Sequence, residues 1–578
     1  MTSYTSPKTQ LVALFQTAIQ QVAPDLPVEV TLDRPKQASH GDFACNVAMQ
    51  LAKPLKRNPR EVAQAVLAAL PASELLEKTE IAGPGFINVF LKPAVWQGLA
   101  PQVLRLGGDY GRSDLGKGEK IQVEFVSANP TGPLHVGHGR GAAFGASLAN
   151  VLAFAGYQVH REYYVNDAGR QMDILALSTW LRYLELCGEF VPFPANAYQG
   201  SYVRVMADSI FALHGDRYKR AAADVLAKAP NAAEDAEAHL DALIANAKRL
   251  LGADYGYIHG FALEEQLGDG RNDLTEFGVT FDTWFSEKTL HESGLIDKAV
   301  EALRKHGHLY EQDGALWFRS TAFGDEKDRV VRRDNGIYTY FAADIAYHLN
   351  KFERGFSRVI DVWGADHHGY IPRVKGALTA AGVDADRLLV ALVQFAVLYR
   401  NGQKASMSTR AGEYVTLRDL RAEVGNDAAR FFYVLRKSDQ HLDFDLDLAK
   451  SQSNDNPVYY IQYAHARISS VLNAWGGLES DLLDADITRL EHPQEIALLR
   501  RLAEFPEVMV NAAREFSPHV IAYYLKDVAA DLHGLYVACQ FLVEDEALKH
   551  ARLLLIAATR QVLRSGLSIL GVSAPEKM

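Results

Sequence analysis

The chain has 578 residues, 48% of them hydrophobic and 23% charged, a length and balance that predict two to four globular domains. The net charge of −11 argues against a protein that coats nucleic acid over its whole surface, but it does not exclude a local basic groove. No apolar run approaches the roughly 18 residues of a membrane span, and no signal segment is visible, so we expect no membrane partner. Cys45, Cys187 and Cys539 show no disulfide or metal spacing, and we therefore expect a cytoplasmic protein.

Residues 1–92 have the pattern of a small α+β domain. Helical periodicity is present in LVALFQTAIQQVA and in EVAQAVLAAL, and IAGPGFINVFL alternates like a strand after a Gly-Pro-Gly turn. A basic segment between the helices contains Arg34, Lys36, Lys53, Lys56, Arg57 and Arg60. This segment is either a solvated basic face or a phosphate-contacting surface that carries Phe43 beside Asp42.

The middle of the chain predicts an α/β domain over residues 118–450. Strand and helix patterns alternate there, which favours βαβ units and a parallel sheet. An Ala-rich helical insertion at about 195–252 interrupts the alternation. From residue 454 to 578 helical periodicity dominates, which predicts an all-α bundle.

One turn in the α/β region is unusual, because it places two histidines among prolines and glycines. The stretch SANPTGPLHVGHGRG, residues 127–141, separates the strand-like IQVEFV from the helical pattern AAFGASLANVLAFAG, which ends at Gly156. In an open parallel sheet, ligands bind at the carboxyl ends of strands, and a helix N-terminus attracts anions. His135 and His138 share one helix face, and Gly137 leaves room for a flat base or sugar.

This pattern predicts histidines that donate hydrogen bonds to phosphate oxygens, and three alternatives remain. In the first, the two histidines have only a structural role and make ordinary hydrogen bonds near a turn. A metal site lacks Cys or acidic ligands nearby in sequence, so we predict no metal there. A dinucleotide site is disfavoured because GHGRGAAFG does not match G-x-G-x-x-G.

HVGH resembles the HIGH motif of class I aminoacyl-tRNA synthetases, and ANPTGPLHVGHGRGAAFG resembles the arginyl-tRNA synthetases in particular. Further segments match in the family's order: YYVNDAGRQ, GIYTYFAADIAYH, VIDVWGADHHGYIPR and MSTRAGEYVTL. GDFACNVA and DAAR, which is similar to the DALR signature, extend the resemblance over essentially the whole chain. It implies an N-terminal tRNA-contacting domain (1–92), a class I Rossmann-like catalytic domain (118–450) and a DALR-type anticodon-binding bundle (454–578), in a monomer.

The resemblance implies that ATP, with Mg²⁺, activates L-arginine and that the arginyl group is then transferred to the 3′ end of tRNA(Arg). It also implies that activation requires tRNA. His135 and His138 would face the triphosphate. Residues implied to surround ATP are Pro133, Leu134, Val136, Gly137, Asp366, His367, Met407, Ser408 and Thr409, and the remaining signature residues are Ala128, Pro130, Thr131 and Gly132.

Arginine itself would be held at two places. By resemblance, Ser127 and Asn129 hold the α-amino and carboxylate groups. Tyr340 and Asp344 are one helical turn apart, so both can face one pocket, and a fixed carboxylate suits a planar guanidinium. By resemblance Tyr340 and Asp344 recognise the arginine side chain; taken without the resemblance, a core role is favoured for Tyr340, and Asp344 could be only a helix surface charge. Asp366 and His367 would contact either the amino acid or the ATP ribose.

The second class I motif, usually written KMSKS, departs from the family pattern. In QKASMSTRAGEY, Ser406 and Thr409 occupy the two lysine positions, and Gly132 stands where some relatives carry a lysine ahead of HIGH. The nearest cations are Lys404 and Arg410, and we predict that at least one contacts the pyrophosphate. Lys404 could instead be an ordinary solvated loop residue.

The tRNA contacts would lie on the two outer domains. Tyr459, Tyr463 and Arg467 of the helical bundle offer rings and donors for single-stranded RNA, although helical spacing alone also predicts burial. Asp42 and Phe43 would contact the D-loop by resemblance. Two rival interpretations are an HxGH nucleotidylyltransferase, which would not explain the helical bundle, and a non-catalytic tRNA-binding relative, which would not need His135, His138 and Asp344.

Overall fold

The computed structural model describes residues 6–35, 37–405 and 415–578. Within these residues the chain forms a small α+β unit, a central α/β unit with a parallel sheet, and a C-terminal helical bundle. The predicted fold class is therefore confirmed.

The N-terminal unit packs three helices against an antiparallel sheet. Its elements are α1 (Pro7–Val22), β1 (Leu32–Asp33), β2 (Phe43–Cys45), α2 (Val47–Leu55), α3 (Pro59–Ala69), β3 (Leu76–Ala82) and β4 (Phe86–Leu91). The strand order is β1-β2-β4-β3. Helix α1 begins where the Ser6 side chain accepts from the amide of Thr9, with Pro7 in the first turn, where its missing N–H is not needed.

Asp42 and Phe43 are turned inward, so the prediction that they present a surface to tRNA is wrong. The Phe43 ring is fully buried in the core. The Asp42 carboxylate accepts from the amide of Leu91 at 2.8 Å and pairs with Arg500 of the helical bundle at 2.9 Å. The basic segment nevertheless keeps exposed side chains, namely Lys53, Lys56, Arg57 and Arg60, whereas Lys36 lies outside the described residues.

The first half of the central unit contains the middle of its parallel sheet. After α4 (Pro93–Gln97) and α5 (Leu99–Leu106), its elements are β5 (Lys120–Glu124), α6 (Val136–Phe154), β6 (Gln158–Val165), α7 (Arg170–Leu186), α8 (Ser201–His214), α9 (Ala222–Val225), α10 (Ala236–Leu251), α11 (Ala253–Glu276) and β7 (Thr283–Ser286). Helices α8–α10 cover the predicted insertion at about 195–252, but the observed insertion is longer and includes α11. They form a separate core with α7, which includes Trp180, Tyr183, Tyr218 and Leu243.

The second half completes that sheet and adds two smaller ones. Its elements are α12 (Lys288–Glu292), α13 (Leu295–Lys305), β8 (Leu309–Gln312), β9 (Ala315–Phe318), β10 (Arg329–Arg332), α14 (Tyr340–Glu353), β11 (Arg358–Gly364), α15 (Ile371–Ala380), β12 (Leu388–Val393), β13 (Ala396–Arg400), β14 (Gln403–Lys404), α16 (Leu417–Val424), α17 (Asn426–Val434), β15 (Leu442–Asp445) and α18 (Leu446–Lys450). The smaller sheets have the orders β10-β9-β8 and β14-β13-β15.

The main sheet has the order β12-β11-β5-β6-β7, and all neighbouring strands are parallel. The chain moves from β5 to β6 on one side and later places β11 on the other side of β5. The carboxyl ends of β5 and β11 therefore form the point where the strand order reverses, and ligands bind at such points in open α/β sheets.

The C-terminal bundle packs against α5 and α6 of the central unit. Its helices are α19 (Pro457–Trp475), α20 (Pro493–Leu502), α21 (Phe505–Arg514), α22 (His519–Ala538) and α23 (Glu546–Leu570). Among the residues that the structure describes, α23 alone is long and apolar enough to cross a membrane. Since 78% of its most apolar window is buried inside the protein, the helix has the character of a core helix.

Candidate active site

Helix α6 begins inside the His-x-x-His segment and not after it. The sequence predicted a helix over 142–156, but α6 spans Val136–Phe154. His135 is the N-cap, where its Nδ1 accepts from the amide of Gly137 at 3.1 Å, and Nδ1 of His138 accepts from the amide of His135 at 3.3 Å. The two rings stack over the first turn with centroids 3.7 Å apart.

Both imidazoles are held in the neutral form. Burial lowers the pKa of His135, and burial together with the His135 ring lowers the pKa of His138 to about 3. Because Nδ1 accepts a hydrogen bond in each ring, the proton of the neutral ring lies on Nε2. Each Nε2–H can donate to an anion at the start of α6, where the positive end of the helix dipole also favours negative charge.

The start of α6 is joined to the chain that follows the KMSKS-like stretch. The amide of Val136 donates to the carbonyl of Val415 at 3.1 Å, and the amide of Leu417 donates to the carbonyl of Leu134 at 2.8 Å. The Tyr433 hydroxyl donates to the carbonyl of Val136 at 2.7 Å. Val415 is thus fixed beside the two histidines.

Arg140 makes a second connection and was missed in the sequence. Its buried guanidinium donates to the carbonyls of Gln394 and Gln440 at 2.8 Å each and to that of Lys437 at 3.0 Å. It ties α6 to the segments that precede β13 and β15. Lys404, at the end of β14, is exposed. The predicted residues Met407, Ser408, Thr409 and Arg410, together with Ser406, lie outside the described residues.

The residues around the histidines have two kinds of role. Four have buried side chains and shape the turn: Ala128, Pro130, Leu134 and Val136. Four are partly exposed: Thr131, Gly132, Pro133 and Gly137. Gly137 faces the Phe395 ring, which is 55% exposed and lies 3.9 Å from the position a Cβ would take. Phe395, also missed in the sequence, offers a flat apolar surface beside the turn.

Tyr340 and Asp344 lie at the start of α14, one turn apart, as their spacing predicted. Tyr340 is 61% exposed, and its hydroxyl lies 3.4 Å from the position that a Cβ of Gly169 would take. The Asp344 carboxylate accepts a hydrogen bond from the Tyr370 hydroxyl. Burial raises the pKa of Asp344. Asp344 is therefore a desolvated carboxylate next to an exposed ring.

A second carboxylate, Glu287, lies near Asp344 and was missed in the sequence. It is buried directly after β7. Burial, followed by the charges of Asp344 and Asp167, raises the pKa of Glu287 to about 7. Carboxylates that disfavour each other's charge in this way would be stabilised by a bound cation. The available signal was position, because Glu287 follows the carboxyl end of a strand, as the histidine turn does.

Ser127 and Asn129 lie between the end of β5 and the histidine turn, and both side chains are hydrogen-bonded to neighbouring residues. Val126 and Ser127 have positive φ values of 68° and 42°, a strained conformation for a β-branched residue such as Val126. The Ser127 hydroxyl donates to Glu124 at 2.9 Å and accepts from the amide of Tyr164 at 3.1 Å. The exposed Asn129 amide donates to Gln171 at 2.7 Å.

A buried ion cluster fixes α14 against the sheet. The Lys351 ammonium donates to Glu124 of β5 at 2.5 Å and to Asp361 of β11 at 2.8 Å. His348 pairs with the other oxygen of Asp361 at 2.9 Å. Breaking a buried pair on one side is costly, so this cluster holds Asp344, one to two turns earlier on the helix, in a defined place.

Asp366 and His367 lie in the short 3₁₀ helix Ala365–Tyr370, which follows β11. Both side chains are exposed, and the imidazole lies 3.8 Å from the carboxylate. The same 3₁₀ helix ends at Tyr370, which contacts Asp344. It therefore brings Asp366 and His367 to the same edge of the sheet as the predicted arginine pocket.

The bundle residues lie on a separate surface of α19. The rings of Tyr459 and Tyr463 are parallel to within 5° with centroids 6.1 Å apart, and Tyr463 is 37% exposed. The Arg467 guanidinium lies 5.7 Å from the Tyr463 ring and 3.5 Å from that of Tyr536 on α22. These residues form an aromatic and cationic surface that the structure keeps apart from the histidine turn.

Comparisons with known proteins agree on one family. Residues 9–91 match the arginyl tRNA synthetase N-terminal domain, residues 100–185 and 275–443 match the catalytic domain of class I (R) tRNA synthetases, and residues 461–578 match the DALR anticodon binding domain. The chain is 66% identical to an arginine–tRNA ligase of Azoarcus sp. (strain BH72) and 64% identical to one of Dechloromonas aromatica (strain RCB), in each case over 99% of both chains. The Thermus thermophilus arginyl-tRNA synthetase structure is similar in fold, with a TM-score of 0.75 and 24% identity over 99% of this chain and 100% of that one.

Proposed function

The chain belongs to the arginyl-tRNA synthetase family and is an arginine–tRNA ligase, and we propose that its reaction takes place at the carboxyl edge of the sheet, between α6 and α14. The arginine carboxylate attacks the α-phosphorus of ATP, and the bond to the β-phosphate oxygen breaks and releases pyrophosphate. A terminal ribose hydroxyl of tRNA(Arg) then attacks the arginyl carbonyl, and AMP leaves. The nucleotidylyltransferase interpretation is wrong, since the family model of the DALR domain and full-length relatives match this chain.

His135 and His138 stabilise the charge that builds on the phosphates. The observation that carries this proposal is the hydrogen bonding of both Nδ1 atoms, which leaves the proton of each neutral ring on Nε2 at a helix N-terminus. Neutral donors in fixed positions need no reorganisation as charge develops. Positioning and electrostatic stabilisation suffice for this reaction.

Arginine is held by the acidic pocket. Asp344 and Glu287 supply the negative charge that a guanidinium requires, and Tyr340 covers the pocket from the solvent side. A planar, always charged guanidinium fits paired carboxylates better than a lysine ammonium does. Ser127 is occupied by Glu124 and Tyr164, so it shapes the strand end, and Asn129 remains the closer candidate for the α-amino and carboxylate groups.

ATP enters with its base beside Gly137 and Phe395, and Asp366 and His367 lie near enough to the pocket to contact the ribose. Mg²⁺ arrives with the triphosphate. Within residues 6–35, 37–405 and 415–578, no group of three or more His, Cys, Asp or Glu side chains is placed to hold a metal ion. Such an arrangement is compatible with an ion bound mainly by phosphates and water, which Mg²⁺ commonly prefers.

Replacing Lys404 with alanine is expected to lower the rate of pyrophosphate release by about tenfold, because an exposed cation next to the phosphates contributes less than a buried one. The measurement is ATP–pyrophosphate exchange in the presence of arginine and tRNA. Lys437→Ala, which removes an exposed lysine paired with Asp439, serves as the control. Unchanged kinetics for both Lys404→Ala and Arg410→Ala would show that neither cation serves the pyrophosphate.

tRNA(Arg) contacts the two outer units of this monomeric, cytoplasmic enzyme. Tyr459, Tyr463 and Arg467 supply stacking rings and a cation for the anticodon loop. In the N-terminal unit the exposed Lys53, Lys56, Arg57 and Arg60 replace Asp42 and Phe43 as the surface for the outer corner of the tRNA. A restricted basic surface on a protein of net charge −11 makes this contact sensitive to salt.

Charging of total tRNA with each amino acid in turn tests the assignment, with RNase-treated tRNA as the control. Arginine is expected to be charged fastest, because only its guanidinium satisfies both carboxylates of the pocket. Faster charging of any other amino acid would contradict the proposed arginine site.

A further inference from the structure

The helical insertion touches the turn that precedes the two histidines. The hydroxyl of Tyr202, at the start of α8, donates to the carbonyl of Thr131 at 2.6 Å. The same hydroxyl lies 3.0 Å from the position that a Cβ of Gly132 would take. Tyr198, just before α8, lies near the same turn: burial raises the pKa of its hydroxyl, and the Thr131 side chain opposes that rise. Tyr198 and Tyr202, from one segment of the insertion, therefore both lie against the turn residues Thr131 and Gly132.

Further contacts hold the turn at its two ends, where the Tyr163 hydroxyl donates to the carbonyl of Ala128 and the amide of Leu417 donates to that of Leu134, both at 2.8 Å. The amide of Thr131 donates to the carbonyl of Asn129 at 2.8 Å, and the Asn129 side chain reaches Gln171 of α7. Pro130 and Pro133 lack amide donors. Thr131 is only four residues before His135, so a shift of this turn would move the N-cap of α6.

The insertion itself is anchored firmly to α7. The indole of Trp180 donates to the carbonyl of Tyr218 at 2.9 Å, and the amide of Tyr198 donates to Ser178 at 3.1 Å. At the first turn of α7, the Arg170 guanidinium pairs with Glu237 and Asp241 of α10. Because α7 begins next to Gly169, against which the Tyr340 hydroxyl lies, the same anchor reaches the arginine pocket.

We propose that the insertion is a positioning element for adenylate formation and that Tyr202 is its positioning residue. Tyr202 holds the turn at residues 130–133, and this turn fixes where His135 and His138 meet the phosphates, so the inference rests on the proposed function. The stretch between the two matched parts of the catalytic domain, 186–274, carries more acidic than basic side chains. That balance favours a role within the protein over a contact with the tRNA backbone.

The test is Tyr202→Phe, which keeps the ring and removes only the donor. In ATP–pyrophosphate exchange with tRNA present, kcat is expected to fall about three- to tenfold, the effect of one lost hydrogen bond in a positioning network. The KM for arginine, the Kd for tRNA and the thermal unfolding midpoint are expected to stay unchanged. Tyr257→Phe is the matched control, because its hydroxyl contacts His214 at 2.7 Å within the same insertion.

Other results of the Tyr202→Phe experiment would contradict the positioning role. An unchanged kcat in Tyr202→Phe overturns the proposal, and so does a fall in kcat that comes with an equal loss of stability or that Tyr257→Phe reproduces. Weaker tRNA binding with normal activation would assign the insertion to tRNA. His138→Ala is measured in parallel: if it also leaves exchange intact, the proposed phosphate site fails, whereas if it alone lowers exchange, only the positioning role fails.

Discussion

Replacing His138 with alanine is expected to lower kcat for arginine activation by about 10²–10³, the loss typical of a single preorganised donor to developing charge. The imidazole is partly buried at the first turn of α6, and its Nδ1 is occupied by the amide of His135. Alanine removes the Nε2–H and leaves that amide without its acceptor. The measurement is ATP–pyrophosphate exchange with saturating tRNA, arginine and ATP.

The pH profile adds an independent readout for His138. Because burial lowers its pKa to about 3, the ring stays neutral at any pH where the enzyme is assayed. The wild-type rate is therefore not expected to titrate with a histidine pKa near 6.5 that belongs to this ring. His214→Ala, in the insertion, serves as the matched control. A normal kcat in His138→Ala would remove the histidine turn from the chemistry.

The location of this site could be predicted from the sequence because its signals are local. A strand-like run, a Pro- and Gly-rich turn and a helical pattern follow one another, and the carboxyl ends of parallel strands bind ligands. The helical pattern is clear only from Ala142, because Gly137, Gly139 and Gly141 are weak helix formers, and only the spacing of His135 and His138 indicates an earlier start for α6. Distant contacts decide it: Tyr433 and Leu417 pack against Gly139 where a Cβ would clash at 2.7 and 2.9 Å.

The arginine pocket could be predicted only in part for the same reason. Tyr340 and Asp344 belong to one helix, so their spacing predicts a shared face. Glu287 and Tyr370 come from segments that follow two different strands, and only the strand order β12-β11-β5-β6-β7 brings those segments together. Phe43 shows the opposite error, because an aromatic residue within a basic segment looks like an RNA contact until the fold buries it.

Replacing Asp344 with asparagine is expected to raise the KM for arginine by about 10²–10³, because removing one partner of a buried charge pair costs about 2–5 kcal/mol. Asparagine keeps the shape and an acceptor for Tyr370, so the change removes charge alone. The KM for ATP is expected to stay within about twofold, because the substitution weakens the binding of arginine and not the binding of ATP. Steady-state exchange kinetics with each substrate varied in turn provide the measurement.

Stability and pH separate lost recognition from damage to the fold. A carboxylate whose pKa is raised in the folded state destabilises that state at neutral pH, so the unfolding midpoint of Asp344→Asn is expected to equal or exceed that of the wild type.

Glu287, with a pKa of about 7, must lose its proton to bind a guanidinium. The wild-type KM for arginine is therefore expected to fall as pH rises through 7, and this pH dependence is expected to disappear in Glu287→Gln. Asp254→Asn, which breaks an exposed pair with Arg217, is the control. If Asp344→Asn bound arginine normally at every pH, the guanidinium would have to be recognised elsewhere than between α14 and β7.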